Sequence, residues 1–215
     1  MKIGSIAIAS MSCLIGCAFV TPPPNIRPQE ANVVSLAPQN WYIYYSAGLP
    51  PSPNAESEGA WSFDIPSSQT GGHVNYVQTP FNVATTPHDV SATFRVESNA
   101  PQYEVLDSSD ILPATIHIFF EQQGDDLVNP NGRWWAQAGG YNLGSHENQT
   151  VTFSVSFTAD QWTNVDGQFS PQEFPAALQN IGWIGLSFGG QYFWGHGVAL
   201  GSGNAKFVLI DFQVK

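Results

Sequence analysis

Beyond residue 17 the chain has no cysteine: the two it contains are Cys13 and Cys17. No disulfide framework, cysteine zinc site or cysteine nucleophile is open to the remainder, so a fold there must be held by its own apolar core. Positive charge is nearly as scarce. Six Lys and Arg stand against 17 Asp and Glu, a formal net charge of −11, and between Lys2 and Lys206 the only cations are Arg27, Arg95 and Arg133. Three isolated guanidinium groups build no phosphate-binding stripe, which argues against nucleic acid and anionic lipid as partners. A neutral partner such as a sugar suits this balance. Catalytic signatures are missing too. Nothing resembles Gly-x-Ser-x-Gly or His-Glu-x-x-His, and the five histidines, His73, His88, His117, His146 and His196, show no zinc-site spacing. No internal repeat is present.

What is there begins with a leader. Lys2 is followed by a mostly apolar run through Phe19 and Val20, too short and too serine-rich for a membrane span and of the kind a secretory signal uses. Within it, Leu14-Ile15-Gly16-Cys17 resembles a bacterial lipoprotein lipobox. The resemblance implies cleavage after residue 16, a lipid on Cys17 and, from Ala18, delivery to the outer membrane; the single lysine departs from the usual basic start. Residues 17–39 include "TPPPNIRPQEANVVSLAPQ", proline-rich and poor in core formers, and read as an extended tether. Residues 40–215 are long enough for one sandwich-sized domain.

That domain reads as strands. Val90, Ala92, Phe94 and Val96 alternate with polar neighbours, as do Val151, Phe153, Val155 and Phe157. Similar runs occur at 41–45, 59–65, 73–78, 115–121, 181–188 and 207–214, bounded by Gly, Pro, Asn and Asp. One segment, Pro171 to Asn180, has a helical pattern, with Pro171 suited to a first turn and Gly182 just past the end. The expected fold is all-β: an antiparallel β-sandwich (jelly roll) with one short capping helix. The segments "VTFSVSFTADQW" and "NAKFVLIDFQVK" resemble the galactose-binding-like jelly-roll superfamily, to which many bacterial carbohydrate-binding modules belong. The resemblance spans the C-terminal half and implies the fold; function has to be argued from the site.

Aromatic residues carry the functional expectation. Trp134 and Trp135 are adjacent, so on a strand they face opposite sides and cannot both enter one core. One of them is expected on the surface or under a loop. In "FGGQYFWGHGV" an extended backbone puts Tyr192 and Trp194 on one face and Phe193 on the other, with glycines permitting a turn or bulge on either side. Flat rings cover the apolar face of a sugar while amides, carboxylates and guanidinium groups bind its hydroxyls. The candidate sugar-binding set is therefore Arg133, Trp134, Trp135, Tyr192, Trp194 and His196.

Asp125, Asp126 and Asn129 supply oxygen ligands dense enough for a structural calcium ion, although the same residues make an ordinary polar hairpin loop. A sandwich glycoside hydrolase needs two carboxyls facing one cleft, roughly 5 Å or 6.5–9.5 Å apart. Glu97, Glu104, Glu121 and Asp211 are the strand-borne acids, and the Glu-x-Asp-x-x-Glu pattern of laminarinase-like enzymes is absent. The expectation is a non-catalytic domain of an envelope lipoprotein that binds a neutral oligo- or polysaccharide by aromatic stacking. Its alternatives are a structural or protein-interaction domain and a sandwich glycoside hydrolase.

Overall fold

The computed structural model describes residues 32–106, 113–137, 140–190 and 195–215. The strands run β1 (Asn32–Val33), β2 (Tyr42–Tyr44), β3 (Asn54–Ala55), β4 (Trp61–Asp64), β5 (Tyr76–Pro80), β6 (Asp89–Val105), β7 (Ala114–Gln122), β8 (Arg133–Ala136), β9 (Tyr141–Asn142), β10 (Thr150–Ser156) and β11 (Trp162–Asn164). Helix α1 (Phe174–Gln179) precedes β12 (Ile181–Gly190) and β13 (Val198–Val214). One sheet has the order β10-β6-β13-β4-β3, with β1 added on β13; the other has the order β11-β8-β7-β12-β5-β2, with β9 added on β7. All ladders between these strands are antiparallel, and the two sheets pack as a sandwich, the fold class expected from the sequence.

The first sheet follows its alternation. Val90, Ala92, Phe94 and Val96 are buried, while the intervening Ser91, Thr93 and Arg95 pair across to Ser154, Thr152 and Thr150 of β10 on the outer face. Between the sheets lies an aromatic core: Trp41 against Trp61 at 4.9 Å, Phe63 against Phe207 at 5.4 Å, and at the other end Phe120, Phe157, Trp162 and Phe174. Each such ring contributes about 2–3 kcal/mol by burial. Helix α1 caps that end by burying Phe174, Ala177 and Leu178, and Phe174 meets Trp134 at 5.1 Å. It is shorter than the expected 171–180 because Pro171 lies in the turn that leads into it.

The second sheet departs from alternation. Ile116, Ile118 and Phe120 of β7 enter the core, yet Thr115, His117, Phe119 and Glu121 on the other side are also 7% exposed or less. A strand covered on both faces reads as a continuous apolar run broken by a few committed polar residues, which is what "ATIHIFFEQ" is. The outer face of this sheet is therefore covered ground rather than plain solvent-facing surface.

The domain boundary expected at residue 40 moves back. Asn32 and Val33 pair with Val214 and Gln213, and Val34 is buried in the core, so the sandwich takes in residues assigned to the tether. Trp41 ties the same segment down by donating its indole N–H to the Ser35 carbonyl at 2.9 Å. The leader, the lipobox-like stretch with Cys17, and the tether up to residue 31 lie outside the described residues.

Candidate functional site

The outer face of the second sheet can be built from register alone. Phe119 lies opposite Trp135 on β8 and Gly185 on β12, and Gly185 lies opposite Gln78 on β5. One step along, His117 is opposite Ser187, Ser187 opposite Tyr76, and Tyr76 opposite Tyr44 of the edge strand β2. In the other direction, Glu121 is opposite both Arg133 and Trp183. Strand β12 gives this face only Gly185, Ser187 and Gly189 over its central stretch, so rings from β5 and β7 meet across it. Tyr76 and Phe119 are 4.9 Å apart, and Phe119 stacks on Trp135 at 6.4 Å and 23°. These three form an aromatic cluster separate from the inter-sheet core.

Above them is a groove of about 840 Å³. Tyr76, His117, Arg133 and Trp135 line its sheet side, Gln137, Asn142 and Asp166 its walls, and His196 its end. A second concavity of about 350 Å³ lies beside it, lined by Tyr45, Asn75 and Leu127 and sharing Tyr76, Arg133 and His196 with the first. Backbone at two glycines makes this approach close. A side chain on Gly140 would strike the His117 imidazole, and one on Gly195, which sits at φ +73°, would strike the Tyr76 hydroxyl.

Among the described residues the groove has one guanidinium, and it is paired. The Arg133 guanidinium is paired with the Asp125 carboxylate at 2.9 Å, the two side chains being 12% and 3% exposed, and it lies 5.9 Å from the centre of the Trp135 ring. Burial pushes the neighbouring Glu121 carboxyl up to about 7, against the pull of Arg133 and with the help of Asp125. Burial likewise lowers His117 to about 4, so its ring is neutral at neutral pH, donating Nδ1–H to the Ala136 carbonyl at 3.1 Å. The Tyr76 phenol, pushed up to about 12 chiefly by burial, stays protonated. With the one guanidinium matched by Asp125 and a further acid, Asp166, on the wall, the groove holds, among the described residues, no unmatched guanidinium or ammonium group for an anionic ligand.

Buried polar atoms without a hydrogen-bond partner at this site include Asn75 Oδ1, Gln78 Oε1 and Ser187 Oγ, while the Glu121 carboxyl meets the Gln78 side chain. Each such group costs about 1–3 kcal/mol if left unmet, and their concentration at one site marks it as different from the rest of the fold.

Of the residues singled out in the sequence, Arg133, Trp135 and His196 come together in the groove. Trp134 does not. It is fully buried between the sheets, stacked on Phe120, with its indole N–H donated to the Asn131 carbonyl at 2.8 Å, because strand parity sends it to the core side. Trp135 lines the groove but is only 3% exposed, beside the Arg133 guanidinium, so it is not an open stacking platform. Tyr192 and Trp194 lie outside the described residues.

The candidate calcium ligands serve their own loop: Asp125 Oδ1 accepts from Leu127 N, Asp126 Oδ1 from Val128 N and Asn129 N, and Asn129 Oδ1 from Asn131 N. Among the described residues no group of three or more His, Cys, Asp or Glu is placed to hold a metal ion. Glu97 and Glu121 face away from the core on different sheets, so they cannot share a cleft; Glu97 pairs with Arg95 and Lys206 instead.

Sequence reasoning missed the tyrosines. Tyr42, Tyr44 and Tyr45 are 42%, 47% and 44% exposed. Tyr42 stands edge-on to Trp183 at 5.5 Å, and Tyr45 contacts Tyr44 at 4.3 Å and Tyr76 at 6.3 Å. Tyr45 holds φ +49°, a left-handed conformation that costs a non-glycine residue roughly 1–2 kcal/mol. Parity carried the signal: with Trp41 and Ile43 inward, Tyr42 and Tyr44 of "WYIYY" have to face out.

No protein-family model matches the chain, and no curated protein matches it. Among solved structures it is similar to a "putative glycoside hydrolase" from Bacteroides vulgatus ATCC 8482, at 11% identity over 76% of each chain, with a TM-score of 0.33. The functional reading rests on the groove itself.

Proposed function

We propose that the sandwich is a non-catalytic carbohydrate-binding domain that takes a neutral saccharide into the groove on the outer face of its second sheet. The observation that carries this reading is the composition of that groove. Aromatic residues, Tyr76 and Trp135, sit among hydrogen-bonding groups, and its one cation is already matched by Asp125. Sugar hydroxyls are the ligand groups that meet buried amide, hydroxyl and carboxyl atoms without bringing charge. Arg133, His196 and Trp135 direct the ligand in this reading, and the unmet atoms of Gln78 and Ser187 lie on the same sheet face. The lipobox-like Leu14–Cys17 supports an exported domain held on the outer membrane, the membrane being reached only through the lipid, with a periplasmic or secreted domain as the alternative.

A second reading has one observation in its favour. Trp134 is in the core and Trp135 nearly covered, as in a structural or protein-interaction domain whose aromatics serve packing. A glycan-array screen of the purified protein separates the two. The sugar reading expects binding to neutral glycans that Arg133→Ala removes while the domain stays folded, with no release of reducing ends from the bound glycan. Release of reducing ends would move the assignment to a hydrolase, and silence across neutral glycans would move it to the structural reading.

A further inference from the structure

The groove does not end at Tyr76. Tyr76 and Arg133 belong to both concavities, and the second one opens toward Tyr45, whose ring touches Tyr44 on the edge strand. Large apolar side chains are otherwise well buried in this fold. Of the seven exposed ones among the described residues, five border this face: Tyr42, Tyr44, Tyr45, Leu127 and Val165. Exposed apolar side chains gathered on one face, rather than scattered singly, mark a contact surface.

We infer that this face binds a neutral glycan chain of several sugar rings, laid across the strands from the groove over β8 to Tyr44 on β2. The inference rests on the sugar-binding reading of the groove and names the size and path of its ligand. From β8 to β2 the sheet order crosses β7, β12 and β5, four strand spacings or about 19 Å, too long a path for one or two rings. Along it four aromatic rings, Trp135, Tyr76, Tyr45 and Tyr44, are accompanied by the Arg133 guanidinium. Tyrosine suits the outer positions because its ring covers the C–H face of a sugar while its hydroxyl stays in reach of a sugar oxygen.

Charge selects among chains. Arg133 is the one cation placed on this face by the described residues, and Asp125 already pairs with it. Arg95 and Lys206 lie on the first sheet, engaged with Glu97. A uronate chain would set a carboxylate at every ring against an acidic protein with no second cation to meet it, so acidic chains are selected against.

The test is calorimetric titration of the full chain with neutral gluco-, manno- and xylo-hexasaccharides and the disaccharides of the same linkages. The comparison adds a Tyr44→Ala/Tyr45→Ala variant and a Tyr44→Phe variant, each checked by thermal melting. The expected result is a hexasaccharide bound at least about tenfold more tightly than its disaccharide. The double alanine variant should lose that advantage, its hexasaccharide affinity falling to that of the disaccharide, and Tyr44→Phe should keep it. A hexasaccharide and disaccharide bound equally, with no effect of the tyrosine substitutions, overturns the chain while leaving the groove reading standing. Absence of binding to every neutral glycan overturns the groove reading itself, and the chain with it.

Discussion

Trp134 and Trp135 are neighbours in the chain and lie on opposite sides of one sheet. Trp134 stacks on Phe120 at 6.4 Å and 15° in the inter-sheet core, and Trp135 stacks on Phe119 at 6.4 Å and 23° on the outer face. The pleat separates their roles, and substitution should separate their effects. Trp134→Ala is expected to destabilise the domain by roughly 3–5 kcal/mol, since it leaves a cavity walled by Phe120 and Phe174. Trp135→Ala should cost less, because one side of its site opens to the groove, and should instead reduce ligand affinity. Urea unfolding of both variants alongside glycan titration checks the ordering.

Glu121 and His117 give the domain opposed pH dependences. The Glu121 carboxyl holds its proton in the fold up to about pH 7, whereas in the unfolded chain it ionises near 4.5. The unfolded state therefore binds fewer protons between these values, and stability falls as pH rises from about 4.5 to 7. His117 is shifted down to about 4 from 6.5, so across that window the unfolded state binds more protons and stability rises with pH. Glu121→Gln removes the first slope and keeps the second. Relative to the native protein the variant should gain about 3 kcal/mol between pH 4.5 and pH 7.5, read as a widening difference in denaturant midpoint across that range.

Asp125 holds Arg133 and also raises Glu121. Asp125→Asn leaves the guanidinium, 12% exposed, with a neutral partner, and is expected to destabilise by about 3 kcal/mol. In the same variant the Glu121 carboxyl should ionise at lower pH, because a negative neighbour has gone and Arg133 has one fewer acid to satisfy. Carboxyl carbon NMR titration of Glu121 in the two proteins reads this directly.

Gly195 itself lies close against Tyr76. At φ +73° an alanine is strained, and its methyl group meets the Tyr76 hydroxyl. Gly195→Ala should lower stability by roughly 1–2 kcal/mol and displace Tyr76 from the shared wall of the two concavities. Thermal melting together with glycan affinity tests both effects.

Much of the fold was legible, for a physical reason. Where one face is buried and the other wet, as on β6 and β10, period-two alternation appears in the sequence, and the sandwich follows from it. Trp134 was misjudged as a ligand residue because parity says that two adjacent indoles face apart without saying which side is core. The groove was the least legible part. Its floor comes from β5, β7 and β8, which are brought together through β12 by ladder pairing between residues far apart in the chain, such as Tyr76 with Ser187. Burial of His117 and Glu121 on the outer side of β7 depends on loops that cover that face, and no local pattern announces a cover. The exposed tyrosines were within reach, since "WYIYY" states its parity outright.

In the proposed function the outer face of the second sheet holds a neutral sugar through Arg133 and its surroundings. The most direct measurement is titration of the full chain with neutral oligosaccharides in parallel with Arg133→Ala and Arg133→Lys, folding being verified for each. Saturable binding to the native protein is expected, with its loss in Arg133→Ala and only partial recovery in Arg133→Lys, whose single ammonium cannot reproduce the fork that reaches Asp125 and the ligand together. A folded Arg133→Ala variant that binds the same glycans with undiminished affinity would contradict the proposed function.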